Sequence, residues 1–101
     1  MEFIIYSEDK VDSLHIRQAA REDHLAWLKT PSEVKLLIAG PWMDDAGVMR
    51  GSLLIVEAKD KDSVSQWLAR DPYKAAGLTK SVMIKAYKCC LLYTSPSPRD
   101  S

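Results

Sequence analysis

The chain has 101 residues, enough for one hydrophobic core and too few for two, so a single domain is expected. Hydrophobic residues make up 47% and charged ones 28%, and 14 basic side chains balance 14 acidic ones, a globular composition with no net basic face to displace counterions from nucleic acid. The longest apolar runs, "LLIAGPWM" and "SLLIV", fall far short of the ~20 residues that cross a bilayer, and "MEFIIYSEDK" has no basic leader, which makes a cytoplasmic protein without a membrane partner the expectation.

In chain order, "EFIIY" (2 to 6) reads as a short apolar strand. "VDSLHIRQAAREDHLAWLK" (11 to 29) has no Gly or Pro and many helix formers, so it predicts a long helix that stops before Pro31. "VKLLIA" (34 to 39) and "GSLLIVEA" (51 to 58) are β-branched runs set off by Gly-Pro and Gly, hence strands. "DKDSVSQWLARD" (60 to 71) offers Asp residues for an N-cap and places Val64, Trp67 and Leu68 on one helix face. "SVMIKAYK" (81 to 88) alternates, with Val82, Ile84 and Ala86 on one side, and makes the last strand. The order βαββαβ predicts an α+β ferredoxin-like plait, the split βαβ arrangement.

The end of the chain breaks this pattern. "CLLYTSPSPRDS" is Ser- and Pro-rich, and it resembles the translation of a sequencing adapter joined in frame. Residues 89–101 are therefore set aside as an adapter-like, non-native tail expected to be disordered, leaving a domain over residues 1–88. The adjacent Cys89-Cys90 pair suits neither a disulfide framework nor a metal site.

The first helix is the most informative segment. At 100° per residue, Leu14, Ile16, Ala20, Leu25, Trp27 and Leu28 form one apolar arc, while Asp12, His15, Gln18, Glu22, Asp23 and Lys29 form the opposite, solvated one. Arg17, Arg21 and His24 fall in the middle of the apolar arc. Burying unpaired charge is costly, so these side chains need partners. Two readings compete. In one, the Arg stems cover apolar surface with their heads in water or on a carboxylate, and His24 is a satisfied interior histidine. In the other, the stripe is part of a site for a small anion.

Taken together, "DSLHIRQAAREDHLAWL", "AGPWMDDAG", "GSLLIVEA" and "DPYKAAGL" resemble the YciI-like (YCII-related) proteins over residues 1–88. The resemblance implies a ferredoxin-like domain that pairs sheets into a dimeric α/β barrel. It also implies an active site around a His-Asp pair, which falls on His24 and Asp71, and chemistry of the dehydrochlorinase or isomerase kind. The plait supplies a topological argument for the pair: with the first and third strands side by side and parallel, both helices would run the same way and bring His24 and Asp71 to one end of the sheet.

A histidine whose second ring nitrogen donates to a carboxylate is fixed in one tautomer and suited to proton transfer. Arg17 and Arg21 could hold a carboxylate or phenolate, and Tyr73, beside Asp71, could line the pocket. Proton abstraction with elimination or isomerisation on a small anionic substrate is the reaction class this suggests. A non-catalytic, dimeric ligand-binding or accessory domain is the alternative. No Gly-x-Ser-x-Gly elbow marks a serine nucleophile, and no Gly-rich strand-to-helix turn marks a nucleotide cofactor. Asp44 and Asp45 lack the spacing of a known metal site and read as a polar loop, so neither cofactor nor metal is expected. A homodimer is expected, because a four-stranded sheet with helices on one face leaves alternate residues of "SLLIV" and "VMIKAY" uncovered.

Overall fold

The computed structural model describes residues 1–90. Its elements are β1 (Glu2–Asp9), α1 (Leu14–Lys29), β2 (Lys35–Met43), β3 (Met49–Glu57), α2 (Lys61–Leu68), α3 (Pro72–Ala75) and β4 (Thr79–Tyr87). The strands form one sheet in the order β2-β3-β1-β4. This is the expected α+β ferredoxin-like plait of the dimeric α/β-barrel class. The expected disorder of the adapter-like tail falls on residues 91–101, outside the described residues. Cys89 lies within them, and its backbone N–H donates to Glu2 Oε1 at 3.1 Å.

The expectation that the first and third strands lie parallel is wrong. They are neighbours, but Glu2 pairs with Glu57 and Glu8 with Gly51, an antiparallel register. The cause is the β2-β3 hairpin: it turns the chain back, and the strand that then slots between β1 and β2 opposes both. Each helix returns along its preceding strand, so α1 and α2 run in opposite senses rather than the same one.

Several boundaries differ from the periodic reading for local reasons. Asp12 adopts a left-handed φ of 55°, so α1 begins only after it, at Leu14. β2 continues through Gly40, Pro41 and Trp42 to Met43. Proline is tolerated there because β2 is an edge strand and its missing N–H can face away from β3. The second helical segment divides, with α2 ending at Leu68 and Asp71 capping the short α3 that starts at Pro72.

Side chains alternate between the two faces of the sheet. Phe3 and Ile5 of β1 and Leu54 and Val56 of β3 point to the helices, where they form the core with Val64 and Trp67 of α2. Trp27 and Leu28 of α1 pack against it. The buried residues of α1, however, are Arg17 and His24 rather than its leucines. On the other face, Tyr6, Ile38, Leu53 and Met83 are exposed. There Trp42 lies over Gly51, donates from Nε1 to Ser7 O at 2.7 Å and stacks on Tyr6 with ring centroids 5.2 Å apart. A Cβ at residue 51 would overlap both the Trp42 indole and Ser7 O, so glycine is required at that position.

Candidate functional site

The site lies between α1, α3 and the helix-side face of the sheet. Pro72 has no N–H to satisfy at the first position of α3, and Asp71 caps the turn by accepting from Tyr73 N at 2.9 Å. The same carboxylate oxygen lies 2.8 Å from His24 Nδ1. Asp71 thus makes the turn and contacts the imidazole at once. The two residues meet where α1 packs on α3, His24 from within α1 and Asp71 from the N-cap of α3, and not at a shared helix end.

An ionised carboxylate can only accept hydrogen bonds, so Nδ1 carries the hydrogen and Nε2 is left with its lone pair in the neutral ring. Tyr73 stacks on this imidazole at a centroid distance of 3.8 Å with planes 9° apart. Burial pushes the Tyr73 phenol above its ordinary value, against the pull of the Arg17 guanidinium. Trp27 flanks His24 at 5.5 Å and stacks on Trp67 at 4.2 Å. Rotation of the imidazole is therefore restricted by aromatic rings as well as by the carboxylate.

Arg17, expected on the apolar arc, is 5% exposed. Its Nε donates to Asp9 Oδ2 at 2.8 Å and its Nη2 to Asp9 Oδ1 at 3.1 Å, a two-point fork. Nη2 also donates to Ser52 Oγ at 2.7 Å, and the guanidinium carbon lies 4.8 Å from the Tyr73 ring centroid. Arg21, one turn further, is exposed and makes no ion pair among the described residues. The stripe therefore divides: Arg17 and His24 are paired and buried, and Arg21 reaches solvent.

Asp9 and Ser52 were not singled out from sequence. β1 runs past the apolar stretch 2 to 6 to Asp9, and Phe3, Ile5, Ser7 and Asp9 continue one inward phase, so a polar residue on a core phase is the available signal. Ser52 sits on the inward phase of β3 in the same way. Asp44 is committed to its own loop, accepting from Ala46 N, Val48 N and Arg50 Nε, and its carboxyl is held below the usual range first by the Val48 N–H and next by Arg50. No cluster of metal-binding side chains occurs among the described residues. His15 is exposed, as its place on the solvated arc predicts.

Two cavities flank the His24-Tyr73 stack. One, of about 270 Å³, is lined by Arg17, Arg21 and His24 together with apolar Leu25, Pro41 and Met49. The other, of about 370 Å³, opens toward β4 and is lined by Asp71, Lys74, Ser65, Thr79 and Ser81 among others. His24, Ser52, Leu54 and Tyr73 border both.

The sequence profile of the YCII-related domain matches residues 1–88. The chain is 38% identical over 95 residues to protein YciI of Escherichia coli, covering 87% of this chain and 97% of that protein. It is 36% identical, with the same coverage, to an uncharacterised protein of Haemophilus influenzae. Among solved structures, 5-chloro-2-hydroxyhydroquinone dehydrochlorinase (TftG) of Burkholderia phenoliruptrix, in complex with 2,5-dihydroxybenzoquinone, matches with a TM-score of 0.78 and 33% identity over 87% of this chain and 94% of that one. No helix among the described residues is long and apolar enough to cross a membrane.

Proposed function

The chain belongs to the YCII-related family, and from that membership we propose that it is a small-molecule enzyme in which His24, held by Asp71, acts as a general base on a small anionic substrate. The observation that carries this reading is the buried 2.8 Å contact from His24 Nδ1 to a carboxylate that is itself fixed by the α3 N-terminus. His24 Nε2 takes a proton from substrate carbon or hydroxyl, and the electron pair left behind moves into the substrate as an enolate or phenolate. That pair then expels a leaving group, or the proton returns at another carbon, giving elimination or isomerisation. Arg21, with Arg17 behind it, attracts the anion, and Tyr73 forms the wall beside the imidazole. The likeness to a dehydrochlorinase at 33% identity supports a cyclic phenol or quinol as the kind of molecule to test first.

The working unit in this reading is a homodimer. Tyr6, Ile38, Leu53 and Met83 give the open sheet face an apolar surface that a second copy of the sheet would cover.

The test is turnover of 5-chloro-2-hydroxyhydroquinone and a panel of small phenols and carboxylates. His24→Ala and Asp71→Asn should each lower any activity by roughly a hundredfold or more while the fold is kept. Unchanged turnover in both variants would contradict the proposal. Binding without turnover by the wild type would favour a dimeric ligand-binding or accessory domain instead.

A further inference from the structure

We propose that Ser52 is a further substrate-contacting residue: a hydroxyl donor, oriented by Arg17 and Asp9, for an anionic oxygen of the bound molecule. The inference rests on the proton-abstraction reading above and adds to it a group that fixes where the negative oxygen lies. Ser52 stands on the helix-side face of β3, opposite Ser7 of β1 and Pro41 of β2, and is 7% exposed. It borders both cavities beside the His24-Tyr73 stack.

A serine hydroxyl has one proton to donate and two lone pairs that accept. One lone pair of Ser52 Oγ is taken by Arg17 Nη2 at 2.7 Å. A positive N–H on that side turns the hydroxyl proton away from Arg17, and no acceptor for it occurs among the described residues. A buried donor left unpaired is unfavourable, and a ligand oxygen in the adjoining cavity removes the penalty. The guanidinium contact also polarises the O–H bond and makes it a better donor.

Arg17 cannot be the main counter-charge for the ligand, because Asp9 already occupies its Nε and Nη2. It is a positioning residue that acts through Ser52. The unpaired positive charge comes from Arg21. A buried hydroxyl, an exposed guanidinium and apolar Leu54 lining the same cavity suit a small planar molecule bearing a phenolate or enolate oxygen.

Calorimetric titration with 2,5-dihydroxybenzoquinone, and with 2,5-dimethoxybenzoquinone as the form lacking an ionisable oxygen, tests the assignment. Ser52→Ala should weaken the dihydroxy compound by roughly tenfold or more, the range for a hydrogen bond to a charged group. It should leave the dimethoxy compound unchanged, so the ratio of the two affinities falls. Ser52→Cys keeps the volume while replacing the hydroxyl with a weak donor, and it should behave like Ser52→Ala. That second variant keeps the test decisive if Ser52→Ala folds poorly. If both variants bind the dihydroxy compound as the wild type does, while Arg21→Met weakens it, the role of Ser52 is refuted and the proposed function stands. If the wild type binds neither quinone but turns over another member of the phenol and carboxylate panel, the oxygen assignment is refuted in the same way. If the wild type neither binds nor turns over any of them, both fail together.

Discussion

On the helix side of the sheet Arg17 and His24 are 5% and 6% exposed, while on the opposite side Ile38 and Met83 are 51% and 47% exposed. Charge is buried where a core would be expected, and apolar surface is open where solvent would be expected. The contrast separates two kinds of unfinished business in one small domain. The covered face buries polar groups that are costly unless partnered; Asp9 comes from the end of the preceding strand, and Ser52 and Asp71 from elements 35 and 47 residues away. The open face carries side chains that water tolerates but does not favour, which is the pattern of a surface awaiting another surface.

The largest effect that would sharpen this contrast is expected at Asp9. Asp9→Ala leaves the buried Arg17 guanidinium without its fork, and removing one partner of a buried pair typically costs about 3–5 kcal/mol. Urea denaturation of the purified variant measures it, and a loss below about 1 kcal/mol would show the pair to be no more than a surface ion pair. Next is Gly51→Ala on the open face, where the new Cβ meets Trp42 and Ser7 O and forces the indole off its seat. Overpacking of this kind costs about 1–3 kcal/mol, and the upper end is expected because one of the two clashing groups is backbone. The smallest change in monomer stability is expected for Leu53→Lys, which alters an exposed side chain and should fall within about 0.5 kcal/mol in the isolated subunit. Its effect should appear instead in sedimentation, where the wild type is expected to run as a dimer and the variant as a monomer. A wild type that is monomeric at micromolar concentration would contradict the reading of the open face.

The parts of this contrast that could be read from sequence follow from periodicity. Element order, the helix face carrying Arg17 and His24, and the inward phase of Val82, Ile84 and Ala86 all repeat at a helical or strand period. What could not be read depends on long-range pairing. The polar end of β1, Ser7 to Asp9, lacks a strand-like composition and is held in the sheet by β3 and β4, so the partner of Arg17 was hidden. The relative direction of β1 and β3 is not legible locally, because it is fixed by the hairpin between β2 and β3 and by strand order, not by any residue of either strand. Asp71 carried only a turn signal in its own neighbourhood, and its approach to His24 across 47 residues came from the family resemblance.

In the proposed mechanism Asp71 holds His24 with hydrogen on Nδ1 and leaves Nε2 free to accept a proton. Long-range nitrogen–proton correlation NMR on histidine-labelled protein measures this directly, and exposed His15 provides an internal reference because the chain has only two histidines. The account predicts a single Nδ1–H tautomer for neutral His24, lost or mixed in Asp71→Asn, with His15 unchanged between the two proteins. A His24 ring protonated on Nε2, or one whose signals do not respond to Asp71→Asn, would contradict it.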